Sequence, residues 1–268
     1  MTELAVAGAL GRMGRAVLDL AGRDDRFQVV AALADSGDPR SGTTLRVGDA
    51  DVPVVEKLGV PCEVLIDFTD AAGSMAWLDV CERFEIPMVI GATGHDESQL
   101  ARIRKSARVI PIVKAANFSV GILVLRSLVG RLASELGPEY DIELVEAHHR
   151  HKVDAPSGTA LMFLDVLLEA TGRSRESDVV FGRSGKSGER PSGQIGLHAL
   201  RMGEVVGRHE IHFAGPAETL SISHVVQSRE AFAAGALRSA AWIIGRTPGV
   251  YSLGDVLAGG QTADRADA

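Results

Sequence analysis

LAVAGALGRMGRAVLDLA, residues 4–21, decides the fold. The apolar residues 4–7 suit a short strand buried on both faces. Gly8-Ala9-Leu10-Gly11-Arg12-Met13-Gly14 follows as a glycine-rich turn. Met13, Val17 and Leu20 then recur at helical spacing. Strand, glycine turn and helix, in that order, open a dinucleotide-binding βαβ unit. Glycine lets the backbone turn sharply and approach a pyrophosphate, and the helix start offers N–H groups to it. The spacing is GxxGxxG, with Leu10 where the common fingerprint has glycine, so a purely structural βα turn stands as the alternative.

Working outward, residues 28–33, 64–68, 88–90 and 109–113 read as further strands. Residues 74–84 and 97–107 read as helices. Strands that are nearly all apolar belong to a parallel sheet covered on both faces. Residues 35–63 are rich in Gly, Pro and Asp, and only 52–55 suggest an extra strand. The second half differs. Residues 120–136 and 157–171 have helical spacing, and 141–146 reads as a strand. GRSGKSGERPSG at 182–193 is a polar loop. Residues 195–201, 204–214 and 219–227 alternate and read as antiparallel strands. Residues 231–244 close as a helix, and the polar tail 259–268 is expected to fray. The fold class is α/β: a Rossmann-type dinucleotide-binding domain plus an α+β domain with a mostly antiparallel sheet. An open sheet must protect its edges and its apolar face, and a homo-oligomer interface does so.

A formal net charge of −7 argues against nucleic acid as a partner, since that role rewards clustered Lys and Arg. Cys62 and Cys81 form no CxxC pair and are expected to be buried or half-buried free thiols, which fits a reducing cytoplasm. No apolar stretch approaches the ~20 residues of a membrane span, and the N-terminus does not read as a signal peptide.

Chemistry-bearing residues gather at strand ends. Asp35, at the end of the second strand, is placed to bind adenosine ribose hydroxyls; a solvated loop acid, with Asp38 competing, is the alternative. Gly91-Ala92-Thr93 and Ala115-Ala116-Asn117-Phe118 follow two further strands, where small residues let a flat ring lie against backbone. The densest run is EAHHRHKVDAPSGTA at 146–160. His148, His149, Arg150, His151 and Lys152 end a strand, and a helix starts near Ser157, Gly158 and Thr159. Cations beside helical N–H groups suit a dianion and place a proton donor close to it. Three other readings stand beside this one. Zinc is disfavoured by the histidine spacing, because neighbouring strand residues point to opposite faces. A solvated basic turn with Ser157 as a helix cap explains Ser157 but not the histidines. A nucleic-acid grip would lack stacking partners.

That run resembles the signature of the 4-hydroxy-tetrahydrodipicolinate (dihydrodipicolinate) reductase family of lysine and diaminopimelate biosynthesis. AGALGRMGR near the start, DFT at 67–69, GATG at 91–94 and AANFSVG at 115–121 agree in order and spacing. So do GERPSGQIG at 188–196 and GALRSAAW at 235–242. The resemblance covers nearly the whole chain. It implies His148 as the catalytic histidine and Lys152 as the proton donor, with His149, Gly158 and Thr159 binding a dicarboxylate substrate. It implies Gly8, Ala9, Leu10, Gly11, Arg12 and Met13 at the pyrophosphate. Gly91, Ala92 and Thr93, with Ala115, Ala116, Asn117 and Phe118, fall at the nicotinamide. It further implies NADH or NADPH as cofactor, no metal, and a homotetramer built through the second sheet. The domains become 1–118, 119–229, and 230–268 returning to the first. Asp35 sits one place later than the family's usual acid, and no Arg follows before Arg40, which favours NADH. A dinucleotide-binding regulator without catalysis, or another dicarboxylate dehydrogenase, are the remaining readings; the presence of both His148 and Lys152 argues against the first.

Overall fold

The computed structural model describes residues 1–259, so all but the first residue of the tail expected to fray lies outside the described residues. The chain forms two compact units: Met1–Val120 with the described part of Arg229–Ala268, and Gly121–Ser228.

The first unit begins with β1 (Thr2–Ala7), α1 (Arg12–Ala21) and β2 (Phe27–Leu33). A hairpin, β3 (Thr44–Val47) and β4 (Ala50–Val55), lies in the middle of the stretch 35–63, where the sequence suggests only one strand. Then come β5 (Val64–Asp67), α2 (Ala71–Phe84), β6 (Met88–Ile90), α3 (Glu97–Ser106) and β7 (Pro111–Lys114). The last strand starts two residues later than its apolar residues suggest. The Ile110 N–H still bonds to the Ser106 carbonyl, so the turn after α3 consumes Val109 and Ile110. β1 lies parallel between β2 and β5. Its residues 4–7 are fully buried, as a strand covered on both faces requires.

The second unit contains α4 (Val120–Leu136), β8 (Asp141–His148), α5 (Gly158–Thr171), α6 (Arg175–Asp178), β9 (Val179–Val180), β10 (Ile195–Arg201), β11 (Gly207–Ala214) and β12 (Thr219–Val226). Sheet order is β12-β11-β8-β10-β9. β11 runs antiparallel to both β12 and β8. β10, expected to be antiparallel, runs parallel to β8 and β9. Alternation reports burial but not direction. Direction is set here by α5, which lies in the crossover that parallel neighbours require. Ile142 and Leu144 of β8, Ile211 and Phe213 of β11, and Phe163, Leu164 and Leu167 of α5 share one core.

The chain then returns to the first unit with α7 (Glu230–Ile243), β13 (Gly249–Tyr251) and α8 (Leu253–Leu257). β13 pairs parallel with β7 and extends the first sheet to the order β13-β7-β6-β5-β1-β2-β4-β3. A Cβ at Gly235 would stand 1.9 Å from the Phe118 carbonyl oxygen, so α7 seats against the loop after β7 only because Gly235 lacks one. Among the described residues, no helix is long and apolar enough to cross a membrane.

Candidate functional site

In the first unit the sequence-derived residues fall at the carboxyl ends of parallel strands, where α/β sheets bind ligands. Gly8 ends β1 with φ +69°, and a Cβ there would stand 2.6 Å from the Phe68 carbonyl oxygen. A Cβ at Gly14 would stand 2.1 Å from the Gly8 carbonyl oxygen. The turn is therefore tight enough to demand glycine at both places. Ala9 is buried, while Gly11 and Arg12 are exposed. Gly11 caps α1 without any side-chain hydrogen bond, so the helix start is left to backbone N–H groups. A glycine cradle ahead of a bare helix start fits a pyrophosphate.

Asp35 lies exposed just past β2. Arg40 donates to Asp38 at 2.9 and 2.8 Å, so the nearest arginine is already paired. Glu56 accepts the Gly37 N–H at 3.0 Å. Gly91 faces the Phe68 ring, where a Cβ would stand 2.3 Å from it. Ala92 is buried and Thr93 exposed. Ala115 donates its N–H to the Ile90 carbonyl, and Asn117 accepts the Ser119 N–H at 2.8 Å. Ala116 is exposed, and the buried Phe118 meets Phe68 edge-to-face at 6.0 Å. Asp67, read only as part of the DFT landmark, is fully buried beside these loops. It accepts the Thr69 N–H and hydroxyl at 2.8 and 2.6 Å. Burial pushes its carboxyl up, against those hydrogen bonds.

In the second unit the core-facing row of β8, Ile142 and Leu144, continues through Glu146 to His148, two residues apart at each step. Sheet register does the rest. Arg201 of β10 lies beside His148, and His209 of β11 lies beside Glu146. Glu146 is fully buried. Its Oε2 receives His148 Nδ1 at 2.6 Å and Arg201 Nη1 at 2.9 Å. Its Oε1 accepts Arg201 Nη2 at 2.8 Å and the Ser157 N–H at 3.0 Å. Burial raises the Glu146 carboxyl, but Arg201, His148 and the Ser157 N–H together hold it below the usual glutamate range.

His209 is 3 % exposed, with Nε2 3.2 Å from Ser157 Oγ and its ring edge-to-face with His148 at 5.3 Å. Burial, with the neighbouring His148 next, lowers its imidazole to about 4, so it is neutral near pH 7. Lys152 Nζ pairs with Asp154 Oδ1 at 2.8 Å. His149 lies on the loop, its ring 6.2 Å from that of His151. Ser157 caps α5, its hydroxyl accepting the Ala160 N–H at 3.2 Å. Gly158 is exposed with open space where a Cβ would stand, and the half-buried Thr159 follows it.

The sequence-derived residues thus form two groups, one in each unit. Arg201, His209 and the role of Glu146 were missed. Glu146 opened the quoted run, and period-two spacing to His148 was the signal available for it. Arg201 and His209 are 55 and 63 residues past Glu146, and only sheet pairing brings them near.

Fold and site together define a two-unit oxidoreductase whose first unit is of the dinucleotide-binding type. The chain belongs to the dihydrodipicolinate reductase family: the family's N-terminal model matches residues 2–118 and its C-terminal model residues 121–257. It is 42 % identical over 266 residues to the 4-hydroxy-tetrahydrodipicolinate reductase of Myxococcus xanthus, covering 96 % of this chain and 98 % of the relative. The reductase of the same name from Thiobacillus denitrificans is 43 % identical, covering 95 % and 98 %. Among solved structures, a dipicolinate-bound dihydrodipicolinate reductase from Paenisporosarcina sp. TG-14 is similar in fold. It has a TM-score of 0.73 at 23 % identity and covers 94 % of this chain and 97 % of its own. A myo-inositol dehydrogenase from Corynebacterium glutamicum reaches a TM-score of 0.59 at 12 % identity, covering 97 % and 93 %. A fold shared that widely does not select the reaction.

Proposed function

We propose that this chain reduces 4-hydroxy-tetrahydrodipicolinate to tetrahydrodipicolinate in lysine and diaminopimelate biosynthesis. One hydride and one proton are taken up and one water is lost. The observation that carries the reading is the joining of His148, Lys152 and the start of α5 in one short stretch, with His148 and α5 both bonded to Glu146. A regulator that only binds a dinucleotide needs no such arrangement.

The residues that would hold the dinucleotide are Gly8 to Met13 at the pyrophosphate, Asp35 at the adenosine ribose, and Gly91–Thr93 with Ala115–Phe118 at the nicotinamide. When bound, the dinucleotide supplies the hydride. The start of α5, with Gly158 N–H and the Thr159 hydroxyl, binds one substrate carboxylate and gains from the helix dipole. His149 contributes a further contact to the dianion. Lys152 delivers the proton, and His148 orients or shares it. Asp154, paired with Lys152, keeps the ammonium in place until substrate competes for it.

Two finer readings accompany this one. NADH is preferred over NADPH, because Asp35, Asp38 and Glu56 crowd the end of β2 with acids while Arg40 is engaged by Asp38. The protein works in the cytoplasm as a homotetramer joined through the second sheet. Exposed Leu200 on β10 and Val225 on β12, which the register places on the same outer face of the sheet, support a covered surface there. The deciding experiment follows NADH and NADPH oxidation with freshly generated 4-hydroxy-tetrahydrodipicolinate. Substrate-dependent oxidation is expected, and its absence with both cofactors would overturn the reading.

A further inference from the structure

Glu146 is fully buried, and its carboxylate accepts four hydrogen bonds from three residues. Arg201 grips both oxygens, the Ser157 N–H takes Oε1, and His148 Nδ1 takes Oε2. An ionised carboxylate only accepts. With its charge held by Arg201, the proton in the 2.6 Å contact belongs to His148 Nδ1. The other ring nitrogen, Nε2, lies beside Gly207, where a Cβ would stand 3.3 Å away. The floor under the His148 ring is His209, edge-on at 5.3 Å. The charged and titratable groups around His148 are therefore Glu146 on its own strand, Arg201 on β10 and His209 on β11, with His224 on β12 facing His209 in turn. Lys152 and Asp154 belong to the following loop.

We propose that Glu146 is the positioning residue of the proton transfer: it fixes His148 with Nδ1 protonated and Nε2 presented to substrate, and ties that ring to the start of α5. The proposal rests on the reductase reading. One buried carboxylate thereby sets two things at once, the tautomer of the histidine and the place of the helix that binds the substrate carboxylate. Glu146 itself touches no reacting atom.

The test is Glu146→Gln. Arg201 donates at both positions, so the Ser157 N–H, which can only donate, is what holds the amide oxygen at the Oε1 position. The amide NH2 then faces His148 Nδ1 and reverses the tautomer, giving bare Nδ1 and protonated Nε2. Nitrogen-15 NMR of labelled protein, above the pH at which the ring is neutral, reads this without substrate. Wild type is expected to show Nδ1–H and the variant Nε2–H. With substrate, kcat is expected to fall by about a hundredfold while KM for the dinucleotide stays within about twofold, as for other misplaced acid–base groups. Should Glu146→Gln not fold, Glu146→Gln with Arg201→Met removes the orphaned cation as well and leaves the amide facing His148. A folded variant with an unreversed tautomer, or with near wild-type kcat, overturns the proposal. Wild-type protein inert toward the substrate overturns the reductase reading instead.

Discussion

The turn at Gly8 and the Glu146 end of β8 each lie between a strand and the helix that follows it, yet the anion sites proposed there are built in opposite ways. At Gly8 the preparation is removal. Side chains are missing at Gly8 and Gly14 because carbonyl oxygens already stand where a Cβ would go. The helix start at Gly11 keeps no side-chain cap. At Glu146 the preparation is addition. A buried carboxylate collects an arginine, a histidine and a helix-start N–H, and Ser157 caps the helix as well. On the proposed reading the first site only holds a phosphate, whereas the second also moves a proton. Backbone alone suffices for a spectator phosphate, whereas chemistry needs titratable groups whose charge and tautomer are fixed.

The comparison breaks most sharply at the chemical side chains. Lys152→Ala or His148→Gln should lower turnover by roughly two to four powers of ten, the usual worth of a general acid or base. Dinucleotide affinity should hardly change, since these residues lie outside the first unit. Steady-state kinetics beside a fluorescence titration with NADH checks both halves. Near-normal turnover of Lys152→Ala would remove it as the proton donor.

Gly14→Ala attacks the other region. The added methyl would meet the Gly8 carbonyl oxygen at 2.1 Å, and backbone on both sides must yield. Overpacking of this kind costs about 1–3 kcal/mol. The thermal midpoint should drop, and the extra stabilisation that NADH gives wild type should shrink or vanish. A melt with and without NADH separates the two effects. An unchanged NADH-induced shift would mean that the turn is structural only.

Thr159→Val tests whether the helix start of the second unit binds an anion. Valine keeps the shape and deletes the hydroxyl. Loss of one hydrogen bond to a charged group costs about 1.5–3 kcal/mol. Calorimetric titration of NADH-loaded protein with pyridine-2,6-dicarboxylate reads it. Equal affinities in wild type and variant would leave α5 as a capped helix and put the carboxylate elsewhere.

The two regions also differ in how far they could be read from residues alone. The 8–14 turn is local: strand, glycines and helix lie within eighteen residues, and α1 runs over Arg12–Ala21 as the spacing predicts. The 146–160 run announces its chemistry through its histidines and lysine, but its control was hidden. Arg201 and His209 reach Glu146 only through the register of β10 and β11 on β8. Register follows from which strands pair, and alternation, which carries no direction, suggests an antiparallel β10 where the strand runs parallel. Of the β3–β4 hairpin, residues 52–55 of β4 are legible as a strand, but β3 and the pairing are not, for a different reason. It is an edge, its outward residues include Arg46, Asp51 and Pro53, and only Val47, Val52 and Val54 are buried. Edge strands dilute the apolar pattern that reveals central ones.

The smallest expected effect concerns the dinucleotide's adenosine end, where the proposed contact is a side chain, Asp35. Asp35 stands exposed past β2, and Asp38 and Glu56 add negative charge nearby. A ribose with free hydroxyls offers Asp35 donors, whereas a 2′-phosphate brings two like charges toward it. Arg40 would be the natural phosphate partner, but it is bound bidentately to Asp38 and would have to leave that pair first. These groups are solvated, so screening keeps the discrimination modest. We expect kcat/KM to favour NADH by about tenfold, equivalent to about 1.4 kcal/mol. Asp35→Ala should narrow the gap by lowering the NADH value more than the NADPH value. Asp38→Ala should release Arg40 and raise the NADPH value. Specificity constants for both cofactors in the three proteins test the assignment. A clear wild-type preference for NADPH would show that Arg12 or Arg40 outweighs the acids and that Asp35 is a solvated loop residue.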